Sequence, residues 1–225
     1  MKTLKESILS STKTGKSEFL IPKNKKELKR MIEKEIYKNG YNCDLNHIKT
    51  HNITDMSFLF KELKYFKGDI SKWDVSNVFN MTKMFYNSDF NGDISNWNVS
   101  NVTSMSYMFS GSKFNGDISK WDVSKVKFID HMFERTNFDG DISKWDVSNA
   151  ISISYIFYNS KKFNGDISKW DVSNAMYMSN MFAYSNFNRD ISNWKIKPLA
   201  ITKYMFYDCP IKDEYKPKQN GKIIE

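Results

Sequence analysis

The sequence predicts an α/β repeat solenoid, in which short parallel strands and short helices alternate along the chain. One phrase, FNGDISKWDVS at residues 114–124, recurs in near-copies through most of the 225 residues. The six tryptophans mark these copies, with gaps of 24, 24, 24, 25 and 24 residues: Trp73, Trp97, Trp121, Trp145, Trp170 and Trp194. This period lies within the range of leucine-rich solenoids. We therefore expect a leucine-rich-repeat-like stack of about seven coils, the first of them degenerate.

Each repeat has two apolar patterns that predict its elements. In I-x-x-W-x-V, Trp73 and Val75 are two residues apart and would face the same side of a strand, whereas Met81, Met84 and Phe85 are spaced like one face of a helix. Asn-Gly pairs such as Asn91-Gly92 suggest a turn in which glycine adopts a positive φ. Each repeat should be a short strand, a turn and one to two turns of helix.

The chain divides into four predicted segments. A helix is expected to begin after Asn24 and to end at Asn39-Gly40, with Leu28, Met31, Ile32 and Ile36 on one face, so that it caps the first repeat. The segments are a flexible basic N-terminal arm (1–23), an N-terminal capping helix (24–40), the repeat solenoid (41–210) and a C-terminal polar tail (211–225).

Charge and hydropathy exclude several classes of protein. The net charge is +8, but residues 41–210 carry 19 Lys and Arg against 18 Asp and Glu, so the repeats lack the basic stripe expected of a specific nucleic-acid binder. No apolar run approaches the roughly 18 residues of a transmembrane helix, and the first residues lack the apolar core of a secretory or lipoprotein signal. These patterns leave three locations open: the cytoplasm, a virus particle, or the cell surface by another route. Cys43 and Cys209 are expected to be free thiols.

The sequence contains no motif typical of a catalytic, metal or cofactor site. The three histidines have no metal-ligand spacing, and every repeat would be an equal candidate for paired carboxylates. The Asp column beginning with Asp69 and Asp93 is expected to cap turns. Two outward columns, beginning with Lys72 and Asp74, are expected to neutralise each other on a polar face that remains a second candidate surface. We expect a protein that is not an enzyme and needs no cofactor.

Positions that vary between repeats are better candidates for binding than positions that repeat, because the repeated residues serve the core. Two helix-side positions are rich in tyrosine, whose large ring and polar tip suit protein or glycan contacts. The candidate binding residues are Tyr86, Tyr107, His131, Tyr155, Tyr158, Tyr204 and Tyr207.

The stretch Asn91–Phe109, NGDISNWNVSNVTSMSYMF, resembles the hallmark FNGDISxWDVSNVTxMSxMF of a bacterial surface-protein repeat. That family is related to the BspA-like leucine-rich-repeat surface proteins, and the resemblance covers about residues 41–210. It implies a solenoid that serves adhesion or partner binding. We therefore predict a non-enzymatic protein- or glycan-binding scaffold of unknown oligomeric state. A second hypothesis stays open, because MKTLKESILSS looks like leaders of some bacteriophage proteins: a structural or decoration component of a phage particle, anchored by residues 1–23.

Overall fold

The computed structural model describes residues 19–225. Residues 1–18, most of the predicted arm, lie outside the described residues. Regular elements occur only near the two ends of the described chain. They are α1 (Lys25–Asn39), a 3₁₀ helix (Asp213–Tyr215) and an antiparallel pair of strands, β1 (Lys218–Gln219) and β2 (Lys222–Ile223).

Helix α1 forms where its local signals predict it. The Asn24 side chain accepts a hydrogen bond of 3.0 Å from the backbone N–H of Glu27, and Gly40 follows the last turn with a φ of 80°. Leu28 and Ile32 are buried in the same apolar cluster as the first repeat. The Lys25 ammonium donates to Asp55 and fixes the helix on that repeat. The helix thus covers the N-terminal end of the core.

Between these ends, seven repeats lie side by side in sequence order. Single parallel bridges join residues that are 24 or 25 apart: Asp55 to Asn80, and then onward through Ser104, Phe128, Ser152 and Tyr177 to Ile201. We number the repeats 1 to 7 by these seven residues. After each bridge, every second backbone N–H donates to the next repeat, as Lys83 does to Ser106 and Phe85 to Met108, both at 2.9 Å.

The local structure inside a repeat differs from the predicted strand and helix. The bridging residue follows the column of Val78, whereas I-x-x-W-x-V forms turns and irregular backbone. The segment from Met81 is a series of turns, because alternate N–H groups bond to the next repeat and the others close turns, as when Met84 donates to the carbonyl of Met81. An α-helix would need all these groups within the segment.

The turns place side-chain-bearing residues at positive φ, while Gly92 adopts no positive φ, contrary to the expectation from Asn91-Gly92. Gly92 is needed for space, because an added Cβ would lie 2.8 Å from the Phe90 ring. The first positive-φ column has φ values between 54° and 64° and is formed by Phe58, Lys83, Tyr107, His131, Tyr155, Asn180 and Tyr204. For L-residues this conformation costs about 1–2 kcal/mol each.

The core is built from columns of the same or similar apolar residues in successive repeats. All six tryptophans are buried, and each indole N–H donates to a carbonyl of the preceding repeat, as Trp145 does to Ile118 at 3.1 Å. A column of buried phenylalanine rings stacks beside them, with centroids 5.9 Å apart between Phe133 and Phe157. The tryptophan bond therefore couples neighbouring repeats as well as filling the core.

Both ends of the described chain are more ordered than the sequence suggested. Residues 19–23 belong to the predicted flexible arm, yet the Leu20 backbone pairs in parallel with Ile48, donating to the carbonyl of His47. Residues 211–225 were expected to be a polar tail, but Ile211 and Ile224 are buried in the core. These apolar residues, spaced too far apart to form a recognisable pattern, fold the tail back onto repeat 7.

Candidate binding surface

The predicted tyrosine positions come together as one continuous aromatic strip along the side of the stack. Consecutive ring centroids are 4.1 to 6.3 Å apart from repeat 2 to repeat 7. In order, the aromatic strip contains Tyr86, Tyr107, His131, Tyr155, Tyr158, Tyr184, Tyr207 and Tyr204. Most of these side chains are half-buried, whereas Tyr204 and Tyr207 are 51% and 54% exposed.

The middle of the strip is a stack of three parallel rings. His131 lies between Tyr107 and Tyr155, with centroid distances of 4.1 and 4.4 Å and interplanar angles of 7°. The ammonium group of Lys83 covers the Tyr107 ring at 4.5 Å, a cation–π contact. The flat faces of His131 are therefore taken up within the protein. The strip presents ring edges and polar tips along this part of the surface.

Backbone geometry explains why these three rings stack. Tyr107, His131 and Tyr155 all have a φ of 57° or 58° in equivalent turns of successive repeats. Parallel hydrogen bonds hold the backbones of these turns in register, since His131 donates to the carbonyl of Ser154 at 2.9 Å. Equivalent side chains therefore leave the backbone in the same direction and meet face to face.

A half-buried carboxylate, that of Glu134, supports the ring stack through His131. The Nδ1 of His131 lies 2.8 Å from a carboxylate oxygen of Glu134, and the Ser110 hydroxyl donates to the same oxygen at 3.3 Å. Burial works to raise the pKa of Glu134, but the hydrogen bond from His131 and attraction to His131 and Arg135 outweigh burial, so the pKa lies below its ordinary value. Glu134 thus holds the imidazole in the stack as a charged acceptor.

Sequence reasoning missed Tyr184. The sequence column that contains Tyr158 and Tyr207 has Ala183 in repeat 6, and Ala183 is fully buried. The next residue, Tyr184, has a φ of 59° and fills the gap, with its ring 5.4 Å from Tyr158 and 5.3 Å from Tyr207. The only sequence signal for Tyr184 was that it lies one residue after the position that tyrosine occupies in the neighbouring repeats.

The outward polar columns behave differently from the expected neutralising pair. Within residues 19–225, no ion pair joins the column of Lys72 to the column of Asp74. The carboxylate of Asp74 instead accepts hydrogen bonds from the backbone and side chain of Ser76. These bonds lower the pKa of Asp74. The carboxylates of the polar face therefore accept hydrogen bonds within their own turns instead of pairing with lysines.

The first aspartate column confirms the expectation of turn capping. Each carboxylate accepts the backbone N–H of the serine two residues later, in Asp69, Asp93, Asp117, Asp141, Asp166 and Asp190. This backbone bond is the main reason that the pKa of Asp117 lies below its ordinary value. No group of three or more His, Cys, Asp or Glu side chains in the described part of the chain is arranged to hold a metal ion.

Cys43 and Cys209 are free thiols, as predicted, and burial raises the pKa of both. Among residues 19–225, no helix is long and apolar enough to cross a membrane.

A comparison with known protein families identifies the family of this chain. A family model described as "Mycoplasma protein of unknown function, DUF285" matches residues 26–137 and, a second time, residues 112–216. The chain belongs to this family. The DUF285 matches include α1 from its second residue, Lys26, and every residue of the aromatic strip, so these features lie within the family's region. No curated protein and no solved structure matches the chain significantly.

Proposed function

We propose that this DUF285 protein is a non-enzymatic binding scaffold, a leucine-rich-repeat-like solenoid of the BspA-like surface-protein type whose aromatic strip binds a protein partner. The observation that supports this most is the position of the rings. Tyr107, His131, Tyr155 and Tyr204 occupy backbone positions at positive φ, where an aromatic residue is strained.

The core does not require aromatic residues at these positions. Asn180 occupies the equivalent position in repeat 6 with a φ of 54°, and its backbone makes the same bond to the next repeat as its neighbours. Asparagine tolerates this conformation better than tyrosine. Mutual stacking offsets part of the strain, but a chain selected for stability alone has less strained choices. A binding role accounts for large rings at these sites.

The ring geometry favours a protein partner over a glycan. A sugar packs best on an open aromatic face, and the faces of His131 are already covered by Tyr107 and Tyr155. Ring edges with hydroxyl tips, flanked by Lys83 and Arg135, instead suit the mixed apolar and polar contacts of a protein interface.

The closest histidine–carboxylate pair of the described residues also has a supporting role. His131 and Glu134 are both largely shielded from solvent, and the imidazole is enclosed between two rings. General acid–base chemistry needs a base within reach of a substrate proton. This arrangement fits a support for the stack better than a catalytic pair.

The test is a triple variant, Tyr107→Asn, His131→Asn and Tyr155→Asn, which copies the residue that repeat 6 already has. Biotinylated wild-type and variant proteins are incubated with surface-protein extracts of the cells that produce this protein and of the cells that they contact. The captured proteins are quantified by mass spectrometry. We expect a saturable protein partner whose capture falls at least tenfold in the triple variant, because a few aromatic anchors dominate an interface. The exposed Tyr37 on α1 supplies the control, Tyr37→Gln, which should capture normally.

Equal capture by wild type and the triple variant would contradict the aromatic strip as the binding surface. Saturable binding to a glycan array, lost in the triple variant and unaccompanied by any protein partner, would contradict the protein-binding proposal in favour of a sugar ligand. The melting temperature of each variant separates lost contacts from lost folding.

A further inference from the structure

The ladder of backbone hydrogen bonds ends in an open row at repeat 7. In repeat 6, the N–H groups of Met178, Asn180, Phe182 and Tyr184 donate to carbonyls of repeat 7 at distances from 2.8 to 3.1 Å. The equivalent N–H groups of repeat 7 make no backbone hydrogen bond to any of residues 19–225. They belong to Thr202, Tyr204, Phe206 and Asp208.

A groove lies over the start of this row. It has a volume of about 670 Å³ and lies between Thr202, Tyr204 and Tyr207 on one side and the β1–β2 hairpin on the other. Gln219 holds the hairpin in place by donating to the carbonyls of Lys197 and Ala200 and by accepting from the Thr202 hydroxyl. The groove thus combines backbone donors, half-exposed aromatic rings and a wall formed by the hairpin.

We propose that this groove binds an extended peptide segment of a partner protein, which adds its backbone to the stack as one further rung. Met178 and Asn180, the equivalent residues of repeat 6, donate to the carbonyls of Ile201 and Lys203. The N–H groups of Thr202 and Tyr204 should likewise pair with carbonyls at alternate residues of a peptide backbone. Lys203 and Lys222 line the groove against the single carboxylate side chain of Glu225. The peptide therefore carries acidic residues between its apolar ones.

A second copy of the chain fits this edge poorly. The complementary carbonyl row belongs to repeat 1, where α1 stands over it: Lys25 donates to both Asp55 and Ser57, and Ser57 is buried. In a second copy of the chain, α1 would need to leave repeat 1 before the carbonyls of that repeat could reach Thr202. A separate extended peptide meets no such obstacle.

This end site is distinct from the proposed side interface, although Tyr204 and Tyr207 belong to both. The variant with Asn at 107, 131 and 155 leaves the groove unchanged, so the two proposals can fail separately.

The experiment uses the full chain and a displayed library of random dodecapeptides. Thr202→Pro removes one backbone donor; Ile201 is extended in its bridge to Tyr177, so it tolerates a following proline. Thr202→Val keeps the N–H and removes only the hydroxyl, so it is the matched control. We expect enriched peptides that alternate apolar and acidic residues and bind Thr202→Pro at least tenfold more weakly than Thr202→Val.

Hydrogen exchange gives a readout that does not depend on substitution. The amides of Thr202 and Tyr204 should exchange fast in the unbound protein and become protected when a selected peptide is added, whereas Asn180 and Phe182 should be protected throughout. The proposal would be overturned by no enrichment above background, by binders that bind Thr202→Pro and Thr202→Val equally, or by binders lost only in the aromatic-strip variant. Concentration-dependent oligomers that Thr202→Pro abolishes would also overturn it, in favour of a second copy.

Discussion

At the scale of single residues, each tryptophan contributes a hydrogen bond to the stack as well as apolar surface. Each indole is buried, and its N–H reaches back to a carbonyl of the preceding repeat, as in Trp145 to Ile118 and Trp170 to Ile142. The spacing of the tryptophans was enough to predict a core position. The hydrogen bond could not be predicted, because it depends on how closely two repeats pack.

Trp145→Phe tests this bond. Phenylalanine keeps an aromatic ring in the core but loses the donor and some volume, so we expect the free energy of unfolding to fall by about 1–3 kcal/mol. Urea unfolding followed by circular dichroism measures the change. Tyr65→Phe, at an exposed ring, should change it by less than about 0.5 kcal/mol. An unaltered midpoint in Trp145→Phe would show that the indole bond contributes nothing net.

At the scale of elements, local signals predicted α1 but not the structure of the repeats. Asn24, Gly40 and a single apolar face specify a helix within one stretch of chain, so the sequence contains the whole signal. The turns of the repeats depend on hydrogen bonds to residues 23 or 24 positions away, and Tyr107 or His131 at positive φ carries no ordinary turn signature. The tyrosine columns of the strip could still be predicted, because equivalent positions in a stack are neighbours whatever their local structure.

The serine-capped aspartates predict the response of these turns to acid. Hydrogen bonds from the serine two residues later lower the pKa of Asp93, Asp117, Asp122 and Asp141 below the ordinary value of 3.8. The backbone N–H contributes most for three of them, and the Ser124 hydroxyl contributes most for Asp122. Well above pH 3.8 these aspartates are ionised in both the folded and the unfolded chain, and their contribution to stability is complete. As pH falls further, the unfolded chain takes up protons first, so stability declines through the folded-state pKa values.

Replacing these four aspartates with asparagine should flatten that decline. Asn98, which occupies the position of Asp122 one repeat earlier, shows that an asparagine can cap such a turn, since its amide oxygen accepts the Ser100 N–H at 3.2 Å. We expect the quadruple variant to have a lower urea midpoint than wild type at pH 7, because it lacks the ionised acceptors, and a smaller drop between pH 5 and pH 3. Equal drops would mean that other carboxylates control acid unfolding.

At the scale of the whole molecule, stability should be a sum over repeats and their interfaces, because each repeat contacts chiefly its two neighbours. Residues 118–141 form one complete period, so their deletion joins Asp117 to Ile142 and keeps every core column in register. The variant should fold with α1 and the C-terminal hairpin still closing the ends. Its urea m-value should fall by roughly one-seventh, in proportion to the surface buried.

Deletion of residues 118–129, half a period, is the control for register. It brings charged residues into apolar core columns, because Asp130, Arg135 and Lys144 take the places of Ile118, Val123 and Met132. We therefore expect no cooperative unfolding transition. A cooperative half-period variant, or a full-period variant that fails to fold, would contradict the additive stack. The full-period deletion also removes His131, the centre of the aromatic strip. It should therefore weaken capture of a strip partner while leaving peptide binding at Thr202 unchanged, which separates the two proposed surfaces in a single folded protein.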